Sequence, residues 1–147
     1  MTRDLSDTEP ALRVASSLPP QDVQGDETIL LVEDDPLVRR LAARVLEGHG
    51  YTVLQAENGL LALEVVAAHI GEVTLLLSDV IMPLMNGRAL AERLLEARPT
   101  LKVLYVSGYT DNVFVDHGDL DQRAAFLQKP YTPSSLARKV REVLDCA

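Results

Sequence analysis

"LLLSDVIMP", residues 75–83, carries three leucines and a serine straight into Asp79 and halts at Pro83. A short apolar run of this kind, closed by a turn former, reads as a strand covered on both faces. A carboxylate at its far end is out of place in a core, so Asp79 marks where the strand leaves the sheet. The segments on either side repeat the pattern. "TILLVE" (28–33) and "LKVLYVS" (101–107) are further apolar runs ending in polar residues, and "YTVLQA" (51–56) and "AAFLQK" (124–129) complete a set of five, with the third strand starting at 73.

Amphipathic stretches alternate with these runs. "PLVRRLAARVLEGHG" (36–50) opens on Pro36 and spaces Leu37, Leu41 and Val45 at i, i+4 and i+8, an apolar stripe of the kind that faces a core. "NGLLALEVVAAH" (58–69) has Asn58 as a helix cap. "NGRALAERLLEARP" (86–99) opens on an Asn86–Gly87 turn and ends at Pro99. "PSSLARKVREVLD" (133–145) turns Leu136, Val140 and Val143 inward. Strands alternating with helices imply right-handed crossovers and a doubly wound α/β fold, a five-stranded parallel sheet with helices on both faces. Between Ser107 and Ala124 the period fades; a short helix over 112–117 is the best reading, and a dimer built on a helix there is not expected.

At 147 residues, nearly half apolar, the chain is the size of one domain. Residues 1–27 differ, with six acidic against two basic residues and Pro19–Pro20, and read as a flexible arm or linker, or as a short helix around "ALRVASSL" that docks on the body or a partner; the domain proper is 28–147. A formal net charge of −8 excludes a basic nucleic-acid surface. Cys146 is the single cysteine and forms no internal disulfide, no apolar run reaches membrane-spanning length, and no signal peptide opens the chain, so a cytoplasmic protein is expected. His49, His69 and His117 lack ligand spacing.

In a doubly wound sheet, ligands gather at the carboxyl ends of the strands where strand order reverses. Those ends here are Glu33, Asp34 and Asp35, then Asp79, Ser107 and Lys129. If the first and third strands are neighbours, as in the flavodoxin-like order 2-1-3-4-5, acids from separate segments meet at one edge. Unless compensated, they repel and hold their protons. A hard divalent cation such as Mg²⁺, bound by carboxylates and waters, resolves the conflict.

Four segments, "ILLVEDDP", "LLLSDVIMPLMNG", "VLYVSGY" and "FLQKPYTP", resemble in order the landmarks of the response-regulator receiver domain of two-component signalling, over roughly 28–145. "VSGYTDN" and "LQKPYTPSSLARKVREVL" are most similar to receivers of hybrid sensor histidine kinases; stand-alone single-domain regulators are the other form. The resemblance implies that Asp79 accepts a phosphoryl group from a histidine kinase or histidine phosphotransfer protein. It implies Mg²⁺ held by Glu33, Asp34, Asp79 and the backbone carbonyl of Ile81, with Asp35 outside the set. Lys129 then neutralises phosphoryl charge, ahead of Pro130 in a cis bond, and Ser107 moves with an aromatic, here Phe126, as the switch. Ile81 and Tyr109 stand where fast-hydrolysing relatives often carry polar groups, so slow dephosphorylation is expected.

Only two residues follow the last helix, so output is expected through contact with an unidentified downstream protein and not through nucleic acid or membrane. The chain is expected not to be an enzyme beyond its own phosphorylation and dephosphorylation. One alternative is a receiver fragment of a hybrid kinase. Another is a Mg²⁺-dependent phosphohydrolase, which Ile81 disfavours by occupying the place of a general acid. A third is a phosphate-independent adaptor.

Overall fold

A computed structural model describes residues 24–82, 84–107 and 124–145. Five strands form one parallel sheet: β1 (Thr28–Val32), β2 (Thr52–Ala56), β3 (Leu75–Asp79), β4 (Lys102–Ser107) and β5 (Ala124–Gln128). Their order is β2-β1-β3-β4-β5, the order the sequence reading anticipated. Four helices accompany them among the described residues: α1 (Pro36–Gly48), α2 (Gly59–Ala68), α3 (Gly87–Ala97) and α4 (Pro133–Asp145). The short helix expected over 112–117, Tyr109, Pro83 and the first 23 residues lie outside the described residues.

Period-two alternation within β1 explains its continuous apolar run. Ile29 and Leu31 enter the core under α1 and α4, whereas Leu30 and Val32 enter the core under α2 and α3. Leu75 and Leu77 divide from Leu76 in the same way. Helix starts follow from side-chain caps. The Asp35 carboxylate accepts from the amides of Leu37 and Val38 with Pro36 following, Asn58 accepts from Leu61, and Asn86 accepts from Ala89.

One helix face differs from the expected one. The sheet takes Ala42, Ala43 and Leu46 from α1, while Leu37 and Leu41 stay 58% and 54% exposed and Val45 is half-buried. Small alanines allow α1 to lie close on β1, and the two leucines are left exposed, Leu41 on a hollow shared with the start of α4. In α4 the expected residues Leu136, Val140 and Val143 are buried, joined by Ala137 and Leu144.

Register sets the functional edge. Val32 lies opposite Ala56 and Ser78, Asp79 opposite Val106, and Ser107 opposite Gln128, so the carboxyl ends of β1, β3, β4 and β5 finish level. At the other end of the sheet the residues before β1 are anchored. The Gly25 amide donates to the His49 carbonyl (3.0 Å), and Arg141 donates to the Gln24 carbonyl (2.9 Å), to the Glu27 carboxylate (2.8 Å) and to the Tyr51 hydroxyl (3.2 Å). Gly50, at φ +102°, lies against the Gly25 carbonyl, where a β-carbon has no room.

Gly87 is constrained by a closer approach. Its amide donates to the Val80 carbonyl (2.8 Å), and a β-carbon would run into the Asp79 carbonyl and the Ser78 hydroxyl. Gly87→Ala is expected to destabilise the domain by about 2–3 kcal/mol through displaced backbone at the end of β3. A urea titration with unchanged m-value reads the loss directly, and a wild-type midpoint would contradict the close approach.

Candidate functional site

Every feature of the site begins with a strand running out of core. Glu33 follows β1 and stays buried because its amide still pairs with the Ala56 carbonyl (3.1 Å), as though the strand continued. Asp34 is exposed beyond it. Asp35, the third acid, turns back as the α1 cap, and its amide donates to Glu33 Oε2 at 3.1 Å. Arg39, one turn into α1, holds the Glu33 carbonyl at 2.7 Å, so the acidic turn is fixed on two sides.

Asp79 ends β3 at 6% exposure. Carboxylate oxygens of Glu33, Asp34 and Asp79 all lie within 4.8 Å of one another. Lys129, just past β5, inserts its Nζ between two of them, 3.0 Å from Asp79 Oδ1 and 3.2 Å from Glu33 Oε1. The Lys129 amide donates to the Ser107 carbonyl (2.7 Å), which ties β5 to the edge of β4, and the Lys129–Pro130 bond is cis.

Electrostatics follow from burial. Desolvation pushes the Asp79 carboxyl up to about 7, the Glu33 carboxylate adds to the rise, and Lys129 partly reverses it. Desolvation alone would lower Lys129, but its contacts with Asp79 and Glu33 prevail and its pKa is raised. Tyr131 is raised too, by burial first and then by the charge of Glu33. One lysine therefore faces two buried carboxylates with a third close by. Three oxygen donors converging in this way suit a hard divalent cation, whose charge would oppose the rise that burial and Glu33 impose on the Asp79 carboxyl.

The remaining predicted residues divide. Ser107 is buried (6% exposed) on the same edge, and its hydroxyl has no hydrogen-bond partner among the described residues. Phe126 stacks on Tyr105 with ring centroids 5.6 Å apart, on the α2–α3 side of the sheet. Ile81 is 58% exposed on the loop after Asp79. Tyr109 falls outside the described residues.

Two contributors escaped the sequence reading. Ser78, 1% exposed, donates to the Asp79 carbonyl at 2.8 Å and so braces the strand end. Its only signal was a hydroxyl inside an otherwise apolar run. The second is a groove of about 450 Å³ between α1 and the start of α4, lined by Leu41, Ala42, Val45, Pro130, Tyr131 and Leu136 among others. Lys129 also lines it, so the groove opens beside the acids. Its signal was the Leu41/Val45 part of the α1 stripe, which periodicity cannot assign to core or to surface.

The fold and this acid edge define a class. The response regulator receiver domain model matches residues 29–141, and the chain belongs to that family, a phosphoacceptor signalling switch of two-component systems. The chain is 40% identical over 124 residues to the sensor kinase CckA of Brucella abortus, which covers 84% of this chain but 13% of the kinase. It is 34% identical to the response regulator receiver protein CpdR of the same organism, covering 81% of this chain and 98% of CpdR. The crystal structure of the receiver domain from the hybrid histidine kinase CckA superposes with a TM-score of 0.68 at 34% identity, over 80% of this chain and 99% of that domain. No helix among the described residues is long and apolar enough to cross a membrane.

Proposed function

We propose that Asp79 is the phosphoacceptor, and that a histidine kinase or histidine phosphotransfer protein is its donor. The observation that carries this is the Asp79 carboxylate at the end of β3, with Glu33 and Asp34 on one side and Lys129 3.0 Å away on the other. In the transfer, an Asp79 oxygen forms a bond to phosphorus as the phosphorus–nitrogen bond of a phosphohistidine breaks, and the electron pair returns to the imidazole. Glu33, Asp34 and Asp79, with the Ile81 carbonyl, would hold Mg²⁺. When bound, the ion neutralises charge on the phosphoryl oxygens.

This chain's own groups do the rest. Asp79 reacts as the ionised form, and Lys129 stands within reach of the new phosphoryl group. The Ser107 hydroxyl is free, among the described residues, to donate to a phosphoryl oxygen, and the resulting movement at the end of β4 biases a two-state switch that includes Phe126. A partner helix laid along the groove, over Leu41 and Val45, would bring a histidine beside Asp79, since Lys129 belongs to both groove and acid site. Output is contact with a further protein in the cytoplasm, and the likeness to CckA supports a second setting, as the receiver part of a hybrid kinase. Incubation with acetyl phosphate and Mg²⁺ tests the reading by intact mass: one phosphoryl group is expected on the wild type, and uptake by Asp79→Asn would overturn it.

The phosphorylated form is expected to hydrolyse slowly. Ile81, apolar and at the mouth of the site, offers no group to orient water. Ile81→Gln should shorten the half-life about tenfold, equivalent to roughly 1.4 kcal/mol of transition-state stabilisation. Loss of the phosphoryl group from the wild type within seconds in Mg²⁺ would contradict this.

A further inference from the structure

Helix α2 is apolar on every side, with Glu64 its one charge, a composition that suits a helix covered all round. Ala62 and Val66 enter the core on the α2–α3 side of the sheet. The opposite sector, roughly 120° wide on a helical wheel, carries Ala67, Leu60, Glu64, Ala68 and Leu61 in that order, all of them exposed. Ile70, just past the helix, is 96% exposed. The outward residues of the neighbouring helices are of the ordinary kind, with Glu92, Arg93 and Glu96 on α3 and Arg138, Glu142 and Asp145 on α4. An apolar outer face therefore belongs to α2 in particular, and such a face marks a docking surface.

The apolar sector continues onto the loop after Asp79. Gly59 packs so close on Met85 that a β-carbon would run into the methionine side chain. Leu60 follows Gly59 and Leu84 precedes Met85, so two exposed leucines flank that contact. Leu84 is 74% exposed and holds a left-handed backbone (φ +75°), a strained conformation for a leucine that gives nothing to the core. Charge around this surface has one sign. From 45 to 87 the chain has no lysine or arginine, and its charged residues are Glu47, Glu57, Glu64, Glu72 and Asp79. Of these, Glu57, Glu64 and Glu72 are exposed on α2 or next to it.

We infer that the outer face of α2 docks a basic amphipathic helix of a partner protein, with apolar side chains laid on Leu60 and Leu61 and lysines or arginines set against Glu57, Glu64 and Glu72. Charge complementarity selects this occupant. A second copy of the chain would bring the same acidic patch against itself across a two-fold axis. Anionic lipid and nucleic-acid phosphates are repelled by it. At ten residues α2 is about 15 Å long, which accommodates about three turns of a partner helix. The face lies across the sheet from the α1–α4 groove, so its occupant does not compete with a phosphodonor there, and docking requires no phosphoryl group on Asp79.

Titration of the full chain with an amphipathic leucine–lysine peptide of about 18 residues, long enough to form a helix and followed by the backbone amide resonances of the protein, tests it. Saturable shifts are expected on residues 60–70 and on Leu84, with a Kd below about 1 mM. The same peptide with glutamate in place of lysine should bind at least about tenfold more weakly. Leu60→Ser combined with Leu61→Ser should weaken the lysine peptide at least about tenfold by removing apolar contact, with an unchanged melting temperature as the check on folding. Glu64→Lys, which leaves the leucines in place, should weaken it several-fold, and more so at low salt. Absence of saturable binding, equal binding of the glutamate peptide, shifts centred on Glu33 and Asp34, or unchanged affinity in both variants overturns the inference. So does a dimer of the wild type that dissociates in the double variant, which would give the face to a second copy. No phosphoryl group enters the measurement, so its result and that of the Asp79→Asn test are independent.

Discussion

Asparagine at position 79 is expected to abolish the proposed phosphoryl uptake and, without divalent cation, to make the domain more stable. The first effect follows from loss of the nucleophilic oxygen. The second follows from burial: Asp79 is 6% exposed, faces Glu33, and is pushed from the ordinary carboxylate range up to about 7. A group whose folded pKa lies above its unfolded value stabilises the fold fully below the unfolded pKa and loses that contribution as pH rises through the folded one. Stability of the metal-free wild type therefore declines between about pH 4 and about pH 7, and an amide, having no charge to desolvate, removes most of that slope. At pH 8 the gain of the variant is on the order of 2 kcal/mol, below the full value of the shift because the amide also gives up the ion pair with Lys129. Thermal melts in a chelator across this range check the sign. Mg²⁺ should close the gap by stabilising the wild type more than Asp79→Asn. A wild type more stable than the variant at pH 8 in chelator would refute the account.

Lys129→Ala should act in two opposite directions. Nζ stands 3.0 Å and 3.2 Å from the two buried acids, so its removal leaves Glu33 and Asp79 without their nearest positive charge. Stripping one partner from a buried pair costs about 3–5 kcal/mol; with the lysine side chain one-third exposed, and with Asp79 able to keep its proton, about 2 kcal/mol is expected at pH 8 and little at pH 5. The same ammonium competes with a divalent cation for the same oxygens. Mg²⁺ affinity should therefore rise about tenfold in Lys129→Ala, measured by calorimetry or by the Mg²⁺ dependence of the melting temperature. Weaker Mg²⁺ binding would show that the lysine assists the acids in holding the metal.

Much of this site was legible before any coordinates. Asp79, Glu33, Asp34, Ser107 and Lys129 were singled out because each ends an apolar run, and a parallel sheet brings all such ends to one edge. Asp35 shows where the linear pattern stops: three consecutive acids look alike, and only the path of the chain turns one of them back as a helix cap. The two aromatic partners Tyr105 and Phe126 lie on different strands, so nothing local in the chain announces that they stack.

Alternation of apolar runs with helical spacing determined the fold class, and polar residues at the run ends marked the candidate site residues, because each depends on regularities local to one element; the strand order that brings the acids together was anticipated from the common doubly wound order. The inward face of α1, the brace from Ser78, the close approach at Gly87 and the groove beside Lys129 were decided only in three dimensions. Periodicity defines an apolar stripe but not what it meets. Alanines let α1 settle on the sheet and left its leucines outside, a choice made by the distance between packed elements and not by any single segment.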